Sequence, residues 1–478
     1  IDLTIIIIHF SCFYPILREN FKTKMKINLS HIGFLAFFLF FSCSKKESTT
    51  TTNGYYSASN LPNFGNVDVD NVFKGEKLKL ENQQKIVNSL NQYYENIWDN
   101  TDMSGGVLVA HGDNILLEKY KGFGRENNQM PINKDTPLHL ASISKPITAM
   151  AVLKLVEAKK ISLEQKVKSI FPNFPYSDVT IQHLLTHRSG LPKYEHFLEE
   201  NDIKPKNKFF TNQEIFDLVA KHKPELARQT DTGFMYNNFN YAILALIIEK
   251  FTGKTYPEAM KEMVFAPLKM KNTFVFEEKH INSASQSFYQ RSSRLYPLNE
   301  YDLIYGDKNI YTTPRDLFNF SKAMFSKDFL PKELMEKVFE PYSNEKKGVN
   351  NYGLGFRLKV FDEGKKLTYH NGWWHGSNTV FIHLRESKTT IIALSNKYSR
   401  KIYGTMLLST LFEDFPFEID KVINPDAETA DSTEVFAEDT ERAKTPKKKP
   451  KKTSADSLKA TKTEETIRKT SESTEEED

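Results

Sequence analysis

The distribution of strand-like and helix-like segments between residues 70 and 420 constrains the fold most strongly. Two β-rich runs, Gly105–His111 and Asn114–Lys121, are joined by a Gly-Asp pair that is typical of a tight hairpin. Further strand-like runs come only much later in the chain, at Tyr352–Val360, Asn378–Arg385 and Thr389–Ser395. Strands at both ends of one folded region most simply join into a single antiparallel sheet.

The stretch between these two groups of strands, from about Ser142 to about Asn350, has the apolar spacing and the end signals of helices. The helices predicted there include Pro146–Ala158, Ile181–Thr186 and Tyr241–Phe251. Two more helical patterns lie outside the strands, at Ile86–Ile97 and Ile402–Phe412. We therefore predict an α+β domain, an antiparallel sheet flanked by terminal helices with an inserted and mainly helical lobe. Ligand sites usually lie in the cleft between two such lobes.

The N-terminal part is predicted to be an export signal followed by a tether. The apolar run Ile32–Phe41, which follows the first methionine, is too short to cross a membrane but fits a signal peptide. Cys43 follows it closely and resembles the lipidated cysteine of a bacterial lipoprotein; an ordinary signal peptide with an incidental cysteine is the alternative. We expect residues 1–43 to be upstream residues and signal, and residues 44–70 to be a flexible tether. The protein would then be exported to the cell envelope and anchored to a bacterial membrane by lipid.

The C-terminal residues 424–478 are rich in Thr, Ser, Glu and Lys and contain Phe436 as their one aromatic residue. Such a composition cannot bury enough apolar surface to fold, so a disordered charged tail is predicted. Its basic block Lys444–Lys452 would be either a contact for an anionic surface or simply solvated. The folded domain is accordingly expected over residues 71–420.

Charge and cysteine content exclude several classes of function. The chain has 65 Lys and Arg against 61 Asp and Glu, and a net charge of +4 does not suggest a nucleic-acid partner. Its two cysteines lie at positions 12 and 43, which excludes a disulfide scaffold and a cysteine-rich zinc site in the domain. There is no His-Glu-x-x-His motif either. We expect neither a metal nor a cofactor.

One short motif carries the chemistry of an activated nucleophile. In Ser142-Ile143-Ser144-Lys145 the outer residues are three apart, so on a helix the amine of Lys145 can reach the hydroxyl of Ser142. A serine needs such an adjacent base, and backbone N–H groups at a helix N-terminus can stabilise an acyl oxyanion. The same spacing recurs at Ser42–Lys45 and Ser343–Lys346, so the motif needs companions.

Two companions follow in the chain. Tyr236-Asn237-Asn238 precedes an apolar helix, and His370-Asn371-Gly372 lies between predicted strands, near the sheet edge that would face the cleft. The order of these motifs resembles the serine β-lactamase-like family, which includes class C β-lactamases, serine DD-peptidases and family VIII esterases. The resemblance runs from about Gly106 to about Lys397 and also rests on Leu140–Pro146, Thr180–Pro192, Tyr241–Gly253 and Tyr352–Phe356.

The resemblance implies a role for each matching residue. Ser142 is similar to the acylated serine, and Lys145 to the amine that shares its proton. Tyr236 resembles the phenol that acts as general base in acylation and returns the proton to the leaving group. Asn238 resembles the carboxamide that orients the acyl side chain of the substrate.

The third motif would hold the other side of the substrate. His370 stands where many members have Lys or His, and Gly372 is expected to give the strand room for a substrate to lie alongside. The resemblance implies an oxyanion hole made of the backbone N–H groups of Ser142 and Trp373. His187 has no counterpart with a catalytic role and is interpreted as structural.

The predicted function is therefore that of an exported serine hydrolase that forms an acyl-enzyme on Ser142 and acts on an ester or amide bond of a small molecule or peptide. An esterase or D-amino-acid peptidase is favoured over a β-lactamase, because a neutral His370 holds a substrate carboxylate more weakly than lysine would. If the side chains of Trp373 and Trp374 face the cleft, their bulk narrows the pocket and also disfavours a bicyclic β-lactam. The alternative is a non-catalytic scaffold that binds cell-wall peptides or senses penicillin. The oligomeric state is left open.

Overall fold

The computed structural model describes residues 60–125, 130–290 and 294–423. Its strands are β1 (Gly105–His111), β2 (Asn114–Lys121), β3 (Phe123–Arg125), β4 (Met130–Pro131), β5 (Leu138–His139), β6 (Phe274–Val275), β7 (Ile310–Thr312), β8 (Asn350–Tyr352), β9 (Arg357–Val360), β10 (Lys366–Trp374), β11 (Ser377–Leu384) and β12 (Thr389–Ser395).

The α-helices are α1 (Gln83–Tyr94), α2 (Ser144–Glu157), α3 (Val167–Ile170), α4 (Ile181–Leu185), α5 (Tyr194–Glu200), α6 (Asn212–His222), α7 (Asn238–Thr252), α8 (Tyr256–Met260), α9 (Pro314–Phe325), α10 (Lys332–Val338) and α11 (Asp420–Ile423). Turns of π-helix extend α1 and α8, over Glu95–Asp99 and Lys261–Phe265. Segments of 3₁₀ helix are Ala141–Ile143, Glu278–His280, Asp362–Gly364 and Arg400–Leu411. None of the helices in the described residues is long and apolar enough to span a membrane.

Strands from the two ends of the domain form one antiparallel sheet of seven strands in the order β2-β1-β12-β11-β10-β9-β8. The closing pair is β1 with β12, in a register that runs from Gly105 opposite Ser395 to His111 opposite Thr389. Helices α2 to α10 all lie between β5 and β8 in the chain. The predicted α+β architecture, with an inserted and mainly helical lobe, is confirmed.

The sheet is buried on both faces because its central strands are apolar at successive positions. On β1, Leu108 and Ala110 pack into the core shared with the helical lobe. Val107 and Val109 of the same strand pack into a second core, which contains α1 and the 400–411 helix. These two layers place the nucleophile motif between the sheet and the helical lobe.

Two details of the sheet differ from the sequence prediction. The single strand expected over residues 352–360 is interrupted by a turn, in which Gly355 has a φ of 92° and its Cβ position would lie 2.5 Å from the Cβ of Ala149. Only a glycine fits there. The residue pattern alone did not indicate strand β10, which was expected only from the family resemblance, because its centre, His370-Asn371-Gly372, lacks the β-branched and aromatic residues that favour strands.

The predicted boundary between tether and domain at residue 70 is wrong. Leu61, Phe64, Val67 and Val69 are buried in the main core, and the ring of Phe64 stacks on Phe329 with a centroid distance of 4.2 Å. Polar and glycine residues separate these side chains, so the sequence shows no helical or strand periodicity that would indicate their burial. The domain therefore begins by residue 61. The predictions for Cys43 and for the tail of residues 424–478 lie outside the described residues.

Candidate active site

The nucleophile lies in a tight turn between strand β5 and helix α2. Ser142 is the middle residue of the 3₁₀ turn that runs directly into α2, and it is half-buried. Ala141 before it has a φ of 49°, and its N–H donates to Nδ1 of His139 at 3.2 Å. The left-handed backbone conformation of Ala141 turns the chain directly before Ser142.

Lys145 lies one turn further along and is fully buried. Its ammonium donates to Ser142 Oγ at 3.0 Å, to Asn238 Oδ1 at 2.9 Å and to the backbone oxygen of Asp307 at 3.0 Å. These three acceptors match the three donors of an ammonium group. The amine is thereby held in one position against the serine hydroxyl, as the predicted motif requires.

Tyr236 lies on the other side of this amine, just before α7. The Lys145 ammonium is 4.8 Å from the centroid of the Tyr236 ring, and the Arg357 guanidinium carbon is 5.0 Å from it. The ring of His187 packs against the same phenol, 4.4 Å between centroids. The half-buried Tyr236 is therefore brought to Ser142 and Lys145 from a distant part of the chain.

The amide of Asn238 connects the lysine to a carboxylate that the sequence analysis missed. Its oxygen accepts from Lys145, and its Nδ2 donates to Glu195 Oε1 at 2.9 Å. Glu195 lies in the first turn of α5 and is half-buried. A lone glutamate in a helix has no sequence signal that distinguishes it from a surface residue. The neighbouring Asn237 caps α7 by accepting from the Phe239 N–H at 2.9 Å.

His187 supports this segment from beneath. It is fully buried, and its Nδ1 accepts from the backbone N–H of Asn237 at 3.2 Å and from Nδ2 of Asn240 at 3.0 Å. Burial, and the nearby positive charge of Lys145, hold the pKa of His187 well below its usual value, so the imidazole is neutral. These contacts agree with the structural role expected for His187.

His370 is buried in β10 as a neutral imidazole. Its Nδ1 donates to the backbone oxygen of Asn371 at 2.7 Å, so its Nε2 accepts from the hydroxyl of Tyr352 at 3.1 Å. Burial, followed by the charges of Arg357 and Lys145, holds the pKa of His370 well below its usual value. The third motif therefore offers no permanent positive charge, in agreement with the sequence analysis.

Gly372 brings β10 into direct contact with the nucleophile turn. A Cβ added there would lie 2.2 Å from Thr379 Oγ1 and 2.5 Å from the backbone oxygen of Leu140. The room that this glycine leaves on that side is thus occupied by the protein itself. The expectation that Gly372 also leaves room for a substrate alongside the strand stays a prediction. Close packing of strand and turn requires the glycine.

The two tryptophans of β10 point in opposite directions. Trp374 shares a strand face with Gly372, and its Nε1 donates to Asp302 Oδ1 at 2.6 Å. Trp373 is on the other face, 42% exposed, and its Nε1 donates to the backbone oxygen of His375. Only Trp374 therefore adds bulk on the side of the helical lobe.

The backbone of Trp373 faces the free edge of β10. The hairpin of β10 and β11 closes on the pair Trp374 and Ser377 across two residues, and the closing pair of such a hairpin exchanges hydrogen bonds. In an antiparallel pair the next residue then directs its N–H and C=O away from the partner strand. Strand β9 pairs with β10 only as far as Tyr369, so the Trp373 N–H lies on an unpaired edge.

A buried ion pair was also missed by the sequence analysis. The ammonium of Lys308 donates to Asp307 Oδ2 at 2.9 Å and to the hydroxyl of Tyr194 at 2.8 Å, and it lies 4.6 Å from the ring centroid of Trp374. Burial raises the pKa of Asp307 despite this partner. Adjacent opposite charges in a sequence usually mark a surface, so they gave no signal.

Together the site has a serine hydroxyl bonded to an amine, a phenol beside the amine, and a free strand edge with an N–H donor. This combination suits acyl transfer through a covalent intermediate. In the described residues there is no group of three or more His, Cys, Asp or Glu side chains that could hold a metal ion.

Comparisons with known proteins agree with this chemistry. The Beta-lactamase family profile matches residues 90–404. Penicillin-binding protein 4* of Bacillus subtilis is 31% identical over 343 residues, which are 69% of this chain and 75% of that protein. Teichoic acid D-alanine hydrolase of Staphylococcus aureus is 29% identical over 304 residues, 60% of this chain and 71% of that protein.

A solved structure shares the fold. The D-amino acid amidase of Ochrobactrum anthropi SV3 superimposes with a TM-score of 0.57 at 21% identity, and the match covers 72% of this chain and 100% of the amidase. At this identity the likeness concerns the fold alone.

Proposed function

Because this chain belongs to the Beta-lactamase family, a family of serine hydrolases, we propose that it hydrolyses an ester or amide through an acyl-enzyme on Ser142. The observation that carries the proposal is the 3.0 Å hydrogen bond from the Lys145 ammonium to Ser142 Oγ. A buried lysine with a purely structural role would not require a hydrogen bond to a partly exposed serine hydroxyl.

The reaction follows from the positions of these groups. Ser142 Oγ attacks the substrate carbonyl carbon while its proton passes to the phenolate oxygen of Tyr236, and the Lys145 ammonium keeps its own protons and stabilises the negative charge. The carbonyl oxygen becomes an oxyanion, for which the N–H groups of Ser142 and Trp373 are the proposed donors. Tyr236 then gives the proton to the leaving group as its bond to the carbonyl carbon breaks. Water repeats these steps on the acyl-enzyme and regenerates the serine.

The electrostatics of the cleft favour a D-alanyl ester or D-amino-acid amide over a β-lactam. His370 is neutral and buried, so the third motif itself has no fixed charge for a substrate carboxylate, and the neighbouring Arg357 guanidinium packs against the ring of Tyr236, 5.0 Å from its centroid. The half-buried Glu195, 2.9 Å from Asn238, places a carboxylate where an ammonium group of a substrate could pair with it. One relative is a teichoic acid D-alanine hydrolase, and the D-alanyl ester that its name implies carries such a group.

We place this activity in the cell envelope. The apolar run before Cys43 and the resemblance of this cysteine to a lipidated residue support export and attachment to a membrane by lipid. Mass spectrometry of the membrane fraction would detect a diacylglycerol-modified N-terminal Cys43. A mature chain that begins elsewhere and carries no lipid would contradict this placement.

Ester turnover by the wild type and by Ser142→Ala tests the reaction. We expect p-nitrophenyl butyrate and D-alanine p-nitroanilide to be hydrolysed by the wild type and not by Ser142→Ala. Ser343→Ala is the matched control, because Ser343 begins a second Ser-x-x-Lys sequence and should be dispensable. A wild type that turns over neither compound but binds a muropeptide would instead support the non-catalytic scaffold.

A further inference from the structure

Asp302 is a buried carboxylate that belongs to none of the recognised motifs. It lies in the segment before β7, is 3% exposed, and the hydrogen bonds it receives lower its pKa despite burial. A carboxylate taken out of water needs several donors to remain charged. The residues that donate hydrogen bonds to Asp302 show which parts of the site it connects.

The side chain of Asp302 holds the end of the strand that carries the oxyanion edge. Its Oδ1 accepts from Trp374 Nε1 at 2.6 Å, and Nε2 of His375 lies 2.8 Å and 3.0 Å from Oδ1 and Oδ2. These two residues directly follow Trp373, whose N–H lies on the unpaired strand edge. A shift of either side chain would move that N–H.

The backbone of Asp302 is connected to the other half of the site. Its oxygen accepts from Asn309 Nδ2 at 2.7 Å, and Asn309 Oδ1 in turn pairs with His139 Nε2 at 3.0 Å. His139 Nδ1 accepts the Ala141 N–H directly before the nucleophile. Burial lowers the pKa of His139 to about 4, so this imidazole stays neutral and keeps one tautomer.

We propose that Asp302 is a positioning residue for the oxyanion hole, because it fixes the Trp373 N–H and the Ser142 turn relative to each other. The inference rests on the proposed function. Oxyanion donors act only when they are preorganised to within a fraction of an ångström. Asp302 touches neither substrate nor reacting atoms, and its effect passes through Trp374, His375 and Asn309.

The experiment compares an ester with its thionoester, in which sulfur replaces the carbonyl oxygen. Sulfur is larger and a weaker hydrogen-bond acceptor, so an intact oxyanion hole prefers the oxygen substrate. For Asp302→Ala we expect kcat for p-nitrophenyl butyrate to fall about tenfold or more with KM little changed. The ratio of kcat/KM for the ester to that for the thionoester should fall by a similar factor.

Asp316→Ala is the matched control. Asp316 is also a buried carboxylate, with Asn272 N–H and Thr273 Oγ1 as donors at 2.7 and 2.8 Å, but it lies in the first turn of α9, at another place in the molecule. Its variant should lose stability and keep the ester preference. If Asp302→Ala fails to fold, His375→Ala, which removes one donor from a half-buried position, should lower the preference by a smaller factor.

An unchanged ester preference in a folded Asp302→Ala or His375→Ala variant would overturn the inference, even if both rates fall together. A wild type without ester turnover would refute the proposed function instead, and this inference would fall with it.

Discussion

At the scale of single residues, Tyr236 is placed to move the proton between Ser142 and the leaving group. The ring of Tyr236 packs against Lys145 and His187. Removal of the hydroxyl alone should therefore leave the ring in place. For Tyr236→Phe we expect kcat to fall by about 10²- to 10⁴-fold, the usual contribution of a general acid or base, with the melting temperature little changed.

Tyr93→Phe is the control for this variant. The hydroxyl of Tyr93 is bonded to Thr405 Oγ1 at 2.6 Å in the second core, away from the cleft. Its removal should cost about 1 kcal/mol of stability and leave turnover intact. Full activity of Tyr236→Phe would mean that Lys145 works without the phenol.

Local motifs explain which site residues could be predicted. The spacing of Ser142 and Lys145 indicates a nucleophile and its base, and the resemblance of the ordered motifs to the family implies the roles of these two residues and of Tyr236 and Asn238. Glu195, Asp302 and Lys308 reach the site from loops or from a helix turn, outside every recognised motif. Charged residues outside a motif have no distinguishing pattern in the sequence, so only the folded chain reveals these three.

At the scale of elements, the contact between β10 and the nucleophile turn depends on Gly372. In Gly372→Ala the new methyl group would overlap Thr379 Oγ1 and the Leu140 oxygen, and the strand must move away. We expect a loss of about 1–3 kcal/mol in stability and of about 100-fold in kcat, since the strand carries the Trp373 N–H.

The control for this strand variant is Gly364→Ala. Gly364 also lies in a turn beside β10 but has nothing within 4 Å of its Cβ position, although its φ is 78°. It should lose about 1 kcal/mol through backbone strain and keep its activity. If Gly372→Ala matched this control in turnover, the strand would not be a part of the catalytic geometry.

Elements with strong periodicity were predicted closely. Strands β1, β2 and β12 have the predicted bounds, and the helix expected at Tyr241–Phe251 lies within α7. Strand β10 was expected only from the family resemblance, because the residues at its middle contact the site and pack closely against the nucleophile turn. Its histidine, asparagine and glycine serve those contacts at the expense of β-propensity.

At the scale of the whole molecule, the segment that contains Leu61, Phe64, Val67 and Val69 completes the main core. A chain of residues 71–423 should be less stable than one of residues 60–423 by at least several kcal/mol, because each buried side chain contributes about 1.5–3 kcal/mol. Urea unfolding of the two chains measures the difference. Equal midpoints would show that this segment is not part of the core.

Buried histidines predict a loss of stability in acid. Burial lowers the pKa of His139 to about 4 and that of His383 to about 3, and it holds those of His187 and His370 well below the usual value. The unfolded chain therefore binds protons below about pH 6.5 that the folded chain does not. Stability is complete above this pH and falls as the pH decreases.

Each such histidine contributes a slope of about 1.4 kcal/mol per pH unit between about pH 6 and 5. Unfolding free energies measured across this range should show the sum of the four contributions, about 5 kcal/mol per pH unit, and His383→Asn should reduce the slope by about 1.4 kcal/mol per pH unit. A free energy that is flat down to pH 5 would mean that the buried imidazoles become protonated in the folded protein.

The central claim is that Ser142 is an activated nucleophile, and covalent labelling tests it most directly. Intact-mass analysis after exposure to a small fluorophosphonate, with peptide mapping, should show one adduct, on Ser142, that is absent in Ser142→Ala. A parallel incubation with penicillin should label this serine weakly, since the third motif has no fixed positive charge. A folded protein without any adduct, or with the adduct on another residue, would contradict the account.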